Sequence, residues 1–453
     1  MDAALLTPPS GGRSGTTLRI GLLLARRGGM RSSVLLLPAV AFATTTTLVL
    51  TVLAGAWSFL RWDDELAGSY QILAGLALAL LVPPLLSLGG AAARLSARRR
   101  DDRLAGLRLL GATTAMVTRL TVLESAVVAL LGGCAGVIGY LALGPLVQLV
   151  HFRGEPIGSA FWLPAWLVVC VVLAIVLLAA VSAVLGLRQV RISPLGVRRR
   201  QDPPRISWLW PAGGGAVMVL AVVAFQGSYA DLAVFVAVIV GGFAACLAVL
   251  GLVGPWVVSV VARRRVRRAQ RPDQLLAARA MAENPKAVWR QISGVVMTCF
   301  IAVVAGSGVA LMGTAQGGGM AEADRLLVAD IRTGILITIA VSFLMVACST
   351  GVTQAAEVLD RAELYRNLDR LGMPRRTMTT AQTATVMTPL LVIATGTVLL
   401  SGLLVAPLAG MAVLLAPTSV AMILAALVLG VLLVRLAVLA TRPLLTATLR
   451  EAA

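Results

Sequence analysis

The chain has 453 residues, of which 58% are hydrophobic and only 13% are charged. This composition lies far outside the range of soluble domains. The formal net charge of +19 is that of many nucleic-acid-binding proteins, but here the basic residues lie in short clusters between apolar runs. Such clusters favour the anionic inner leaflet of a membrane and set topology. The composition therefore indicates a multi-span membrane protein with the lipid bilayer, and not nucleic acid, as its surroundings.

Ten apolar runs are each long enough to cross a hydrocarbon core of about 30 Å, which takes roughly 20 helical residues. We predict spans at residues 34–60, 69–92, 117–143, 164–187, 207–226, 231–261, 290–313, 332–354, 384–407 and 418–441. Residues 1–33 are basic and amphipathic, which predicts a cytoplasmic lead with an interfacial helix.

The distribution of charge tests this count of spans. With the N-terminus in the cytoplasm, the inner segments carry 35 of the 39 Lys and Arg residues, and the outer side keeps only four. Those four are Arg61, Arg153, Arg325 and Arg332. The asymmetry predicts ten spans with both termini on the cytoplasmic side of a bacterial plasma (inner) membrane.

A basic, amphipathic segment from Arg103 to Glu124 follows the second span. Leu104, Leu107 and Leu110 fall at helical spacing between arginines, and Gly111 ends that period before a new helix from about residue 114. We call residues 103–113 hook 1. This pattern predicts a surface helix, a glycine turn and a membrane helix, which suits docking of a soluble partner; the alternative is an ordinary basic loop.

A second copy of this segment lies 261 residues further on, where Leu371-Gly372-Met373-Pro374 repeats the step at Leu110-Gly111. We call residues 361–374 hook 2. Around the hooks, a first unit of four spans (about 16–200) and a second (about 273–453) run in the same order and orientation, joined by two spans. This predicts a parallel repeat about an axis along the membrane normal.

Several kinds of chemistry find no support in the sequence. A P-loop needs Gly-x-x-x-x-Gly-Lys-Ser/Thr, and the single lysine, Lys286, lies in Asn-Pro-Lys-Ala. The five cysteines lie inside apolar runs without CxxC spacing, and His151 is the one histidine. We therefore predict no catalytic residues, no metal and no cofactor in this chain.

The order of these features resembles the FtsX-like permease family, the MacB-type (type VII) membrane subunits of ABC transporters. The resemblance rests on residues 103–124, on the copy at 371–376, on Asn284-Pro285-Lys286 and on Arg191-Ile-Ser-Pro194-Leu195. It implies an all-α integral membrane protein of ten helices, arranged as two parallel four-helix FtsX-like units joined by two helices. The corresponding segments are a lead at 1–33, a first unit at 34–200, a linking region at 201–272 and a second unit at 273–453.

The resemblance also implies a function. The chain would be the permease subunit of an ATP-driven exporter or extractor of hydrophobic or amphipathic cargo, such as a peptide antibiotic or a lipid. A separate cytoplasmic ABC ATPase, present in two copies, would hold ATP and Mg²⁺ and dock on the hooks. The expected docking residues are Arg103, Leu107, Arg108, Gly111, Tyr365, Arg366, Leu368, Arg370 and Gly372. The expected structural or hinge residues are Glu124, Pro83, Pro84 and Pro389.

Two other classes of function stay open at this point. An ion-coupled secondary transporter needs ionisable groups deep in the membrane, and the predicted spans carry almost none. A signalling or regulatory membrane subunit needs outer surface for a partner, and the outer loops are short. Both classes therefore rank below the ATP-driven permease.

The predicted topology can be tested by cysteine-accessibility labelling in a cysteine-free background. Single cysteines at Asp63, Glu155 and Glu322 should react with an impermeant reagent from outside, and cysteines at 100, 199 and 268 should react only from the cytoplasm. Labelling of position 322 from the cytoplasm would contradict the two-unit arrangement.

Overall fold

The computed structural model describes residues 33–63, 67–98, 114–190, 209–225, 232–314, 322–404 and 417–441. These residues form helices α1 Ser33–Leu60, α2 Ala67–Arg98, α3 Thr114–Gln148, α4 Ala165–Val190, α5 Leu209–Phe225, α6 Leu232–Arg268, α7 Pro272–Glu283, α8 Pro285–Thr314, α9 Glu322–Asp360, α10 Ala362–Arg370, α11 Arg375–Leu404 and α12 Pro417–Leu439. Strands β1 His151–Phe152 and β2 Glu155–Pro156 form a hairpin between α3 and α4, followed by a 3₁₀ turn at Gly158–Phe161.

A helix covers each of the ten predicted spans. Within the described ranges, seven stretches are long and apolar enough to cross a membrane by length and composition, and Ala67–Val82 and Leu427–Leu439 are apolar but shorter. The chain is thus an all-α membrane protein, while ten as the number of its spans stays a prediction. The backbone of α2 is helical through Pro83 and Pro84, and α11 continues through Pro389. Their role as hinges also stays a prediction.

The chain divides into two compact units. Among the described residues, unit 1 contains 33–50, 90–98, 114–142 and 164–190, and unit 2 contains the rest. Residues 51–60 of α1, residues 67–89 of α2 and the hairpin therefore group with residues of the second half of the chain. This grouping follows packing and does not coincide with the segments of the sequence repeat.

In unit 1, the small face of α3 packs tightly on α1. A Cβ atom on Gly132 would lie 2.7 Å from the carbonyl oxygen of Ala39, and one on Gly136 would lie 2.7 Å from that of Ala43 and clash with Thr46. Without a hydrophobic driving force between helices in lipid, such close backbone approach supplies the packing energy. Gly132 and Gly136 are four residues apart and lie on one face of α3, and this face is the one in close contact with α1.

Residues 44–47 of α1 are all threonines, and they form a polar patch. Their hydroxyls donate hydrogen bonds within α1 and from α1 to α3. Thr44 and Thr45 donate hydrogen bonds to the carbonyl of Ala41, a bond that threonine hydroxyls within helices commonly make. Thr47 instead donates across to the carbonyl of Gly136, at 2.9 Å. The missing side chain of Gly136 thus allows both the close approach and this interhelical bond.

In unit 2, a continuous apolar core lies among α6, α7, α8, α9, α11 and α12. Its fully buried members include Ile292 of α8, Phe343 of α9, Leu390 of α11 and Val434 of α12. Because these helices share one core, a displacement of one of them changes the packing of its neighbours.

The hairpin of unit 2 turns at Arg153 and Gly154, which pairs Phe152 with Glu155. Both central residues have positive φ, 58° and 81°, as in a type I′ turn. Glycine adopts this conformation readily, but for Arg153 it costs roughly 1 kcal/mol or more.

The tight contact at Gly136 predicts a destabilised Gly136→Ala variant, because the added methyl group meets backbone atoms that cannot move aside. We expect a loss of about 1–3 kcal/mol and a lower apparent melting temperature in detergent. Gly396→Ala is the matched control, since its Cβ would have no atom within 4 Å and alanine favours the helix. Equal melting of both variants would contradict the packing.

Candidate functional site

Hook 2 begins directly after α9 and contains α10, which ends in a glycine turn. The amide of Gly372 donates to the carbonyl of Asp369 at 2.9 Å, and the amide of Met373 donates to the carbonyl of Leu368 at 3.0 Å. These two bonds define a Schellman motif, in which the residue after the helix is left-handed. Gly372 has φ +81°, a conformation that glycine adopts without a steric penalty.

The structure confirms the form predicted for hook 2: a surface helix, a glycine turn and a following helix. Pro374 precedes α11, and its carbonyl accepts the amides of Thr377 and Met378. Hook 1 lies outside the described residues, and so do the four docking residues predicted on it, Arg103, Leu107, Arg108 and Gly111. Helix α3 begins at Thr114, where the sequence predicts a new helix.

The inner face of hook 2 packs on the membrane helices. Tyr365 is buried against Val358 of α9 and Met378 of α11, and Leu368 and Met373 pack on this cluster. Burial raises the pKa of the Tyr365 hydroxyl above its ordinary value; nearby Glu357 raises it further, while Arg361 lowers it. Tyr365 and Leu368, both predicted to dock a partner, thus lie on the side of the hook that attaches it to α9 and α11.

The outer face of hook 2 carries exposed apolar and basic groups. Leu371 is 82% exposed and Leu364 is 46% exposed. Arg370 and Gly372 are also exposed. Arg366 is partly buried, and its Nε atom is buried without a hydrogen bond to any described residue. Exposed leucines at the edge of a membrane protein, beside arginines, form a surface suited to a soluble partner.

A polar network joins the start of hook 2 to α8. Arg361 pairs with Glu357 at 3.1 Å, and Glu357 also accepts a bond of 2.8 Å from the amide of Gln291. Gln354 donates to Gln291 at 2.7 Å, and Thr350 donates to the carbonyl of Gln291 at 3.1 Å. Gln291 and Gln354 are 6% and 2% exposed. Buried polar groups with satisfied partners fix the relative position of the elements that carry them.

A small cavity of about 40 Å³ lies beneath hook 2, lined by residues of α7, α9, α10 and α11. Gln354, Glu357 and Gln382 give it polar walls, and Leu276 and Leu368 give it apolar ones. The Oε1 atom of Gln382 is buried and bonds to no described residue. The inner face of the hook is therefore attached through a few contacts and is not packed as densely as the core.

The remaining predicted residue, Glu124, is partly buried on α3. At the equivalent offset in the second copy, Thr385 donates to the carbonyl of Ala381 at 2.9 Å and borders the cavity. The structural role predicted for Glu124 stays a prediction.

The sequence reasoning missed the polar network altogether. Gln291, Gln354 and Glu357 were not among the candidate residues. The available signal was that a glutamine near the end of an apolar span needs a buried partner. Pattern alone does not identify that partner, because Gln291 and Glu357 are 66 residues apart.

A comparison with known families matches part of the first four-span segment. Residues 75–194 match the family described as FtsX-like permease C-terminal. This segment contains hook 1, α3 and α4, and it ends at Pro194, within the motif Arg191–Leu195 that suggested the family. No curated protein matches the chain. Such a domain is that of a membrane permease of ABC-type transporters, and residues 75–194 of the chain are similar to the FtsX-like permease family over this domain.

Proposed function

We propose that the chain is the membrane subunit of an ATP-driven transporter and that each hook docks one copy of a separate cytoplasmic ABC ATPase. The two four-span units would then act as a pseudo-dimer facing two ATPase subunits. ATP and Mg²⁺ would be held by the ATPase and not by this chain.

The observation that carries this proposal is the separation of the two faces of hook 2. Leu371 and Arg370 are exposed, whereas Tyr365 and Leu368 pack on the membrane helices. A short helix with a free apolar edge on one side and an attachment on the other both binds a partner and passes on its movement. Apolar anchors of this kind dominate the binding free energy of many interfaces.

The polar network offers a route for that movement. A push on hook 2 acts on Arg361, then on Glu357 of α9 and on Gln291 of α8. The buried core of unit 2 links α8 and α9 to α11 and α12. Closure of the ATPase pair would thereby bias the packing of the spans, which is the coupling free energy that such a transporter needs.

The short length of the outer segments extends the proposal to the class of cargo. The outer segments between the predicted spans are short, so cargo would be handled by the spans themselves. Hydrophobic or amphipathic molecules, such as peptide antibiotics or lipids, fit that route, with export or extraction as the direction.

The exposed leucine of hook 2 is the sharpest test of docking. We expect Leu371→Asp to reduce the ATPase that co-purifies with the chain from native membranes by about tenfold or more, since a lost anchor costs about 2 kcal/mol. The measurement is ATP hydrolysis in the eluate, with mass spectrometry of the co-purified subunit for Walker motifs.

Two variants control this experiment. Leu275→Asp changes an exposed leucine of α7 outside the hook (43% exposed) and should leave the ATPase bound. Leu368→Asp places a charge in the inner cluster and should lower the melting temperature as well as the yield of complex. If the Leu371→Asp variant co-purifies with undiminished ATP hydrolysis, hook 2 is an ordinary basic loop. An ion-coupled transporter would then be the better account.

The turn of hook 2 predicts a graded series at position 372. Gly372→Asn should keep most ATPase binding, because asparagine tolerates positive φ, whereas Gly372→Ala should weaken it and lower stability by about 1 kcal/mol. Gly372→Pro should lose binding, because proline cannot adopt φ +81° and lacks the amide that bonds to Asp369. ATP hydrolysis of the purified complex measures the series, and equal values for asparagine and alanine would contradict it.

A further inference from the structure

A second cluster of side chains lies at the other end of α9 from hook 2. Asp330 of α9 and Arg361 at the hook are 31 residues apart, which is roughly 46 Å along a helix. That distance places the two on opposite sides of a bilayer core. The charge distribution assigns the side of Asp330 to the outside. Everything in this cluster belongs to unit 2.

The centre of the cluster is the guanidinium group of Arg153, which lies between two aromatic rings. Its Cζ atom is 4.1 Å from the centre of the Trp62 ring and 4.4 Å from that of Tyr70. Phe59 and Phe152 lie beside these two rings, and the ring centres of Phe59 and Phe152 are 5.0 Å apart. We call Trp62, Tyr70, Phe59 and Phe152 the outer cage.

An acidic group completes the outer cage. Asp330, only 7% exposed, accepts a bond of 2.6 Å from the Tyr70 hydroxyl and one of 2.8 Å from the backbone amide of Arg153. The carboxylate of Asp330 therefore holds the ring of Tyr70 and the backbone at the tip of the hairpin. Neither of these two bonds involves the guanidinium group of Arg153. The side chain of Arg153 also hydrogen-bonds to Tyr70, so removing it would lose that bond while leaving the two bonds of Asp330 in place.

Aromatic faces around a nearby carboxylate are the general means by which proteins recognise organic cations, because the negative faces of the rings attract the charge. We propose that the outer cage is a binding site for the guanidinium group of a basic peptide and that Arg153 occupies it in the absence of that ligand. In this proposal, an incoming arginine side chain displaces Arg153 from between Trp62 and Tyr70.

Two observations favour displacement over a permanent structural role. Arg153 is the one described residue other than glycine with positive φ, and backbone strain of this kind is concentrated at ligand-binding and other functional sites. Arg153 is also only partly buried, so part of it is accessible to water. An incoming ligand cannot bind while Arg153 occupies the outer cage. The apparent affinity for that ligand is therefore lowered to the extent that the cage is already occupied.

The test uses the full-length chain in detergent with Arg153→Gly, which vacates the outer cage. Glycine suits the left-handed turn, and the backbone amide that bonds to Asp330 is retained. Arg153→Asn is the second variant, because asparagine also tolerates positive φ and is too short to lie between the rings. The probe is arginine amide, and the matched control is citrulline amide, which replaces the guanidinium with a neutral urea group. Saturation-transfer NMR titrations give the affinities.

We expect arginine amide to bind to Arg153→Gly about tenfold more tightly than to the unsubstituted chain, and citrulline amide to show no such gain. Adding Trp62→Leu should abolish the gain. Equal binding of both probes, or a gain that survives Trp62→Leu, would overturn the proposal. An unchanged affinity in both position-153 variants, at melting temperatures near that of the unsubstituted chain, would do the same.

The inference rests on the proposed function only in treating this ligand as cargo. Probe binding requires neither the ATPase nor the hooks, so the two proposals fail separately. Loss of the ATPase from the chain with intact probe binding would reject the transporter and keep the cation site. The reverse result would keep the transporter and leave the outer cage a fixed structural contact.

Discussion

A polar group inside a bilayer has no water to bond with, and it must find its partner in the protein. Helix α9 meets this constraint by placing its buried ionisable and amide side chains near its two ends. Asp330 bonds to the outer cage, and Glu357 bonds to Gln291 and Arg361. Between them, α9 packs through apolar side chains such as Phe343 and Val346. The rest of unit 2 is arranged around this helix, which is fixed at both ends.

If a soluble subunit docks on hook 2 as proposed, this arrangement would allow it to act on the spans. The hook is attached where α9 ends, and the same carboxylate that pairs with Arg361 also bonds to α8. An apolar core resists small continuous deformation and shifts between discrete packings. A displacement of the hook is therefore shared by α8, α9 and α11, and is not absorbed locally.

The sequence predicted those parts of the molecule that depend on local pattern. Length and hydropathy located a helix at each of ten positions. The turn at Gly372 followed from a break in helical period. What pattern did not supply was the identity of neighbours. An amphipathic helix of nine residues has one apolar side, and periodicity does not say whether that side meets the protein or a partner. Tyr365 and Leu368 pack on α9 and α11, and the docking role predicted for them stays a prediction.

The outer cage was missed for the same reason, on a larger scale. Tyr70 and Asp330 are 260 residues apart, and they meet only because helices from both halves of the chain converge in unit 2. Arg153 was visible as one of few basic residues on the outer side, but its neighbours were not.

The exposed face and the packed face of hook 2 are formed by different residues. This separation bears on how the sequence of such a subunit can change in evolution. Leu371 is not part of the inner cluster, so if an ATPase docks on hook 2 as proposed, substitutions at Leu371 would alter the choice of that partner without disturbing the attachment to α9. Substitutions at Tyr365, Leu368 or Met373 would instead alter the packing that sets the angle of the hook. On the proposed function, such a permease could change its ATPase partner while the contacts that connect the hook to the spans stay the same.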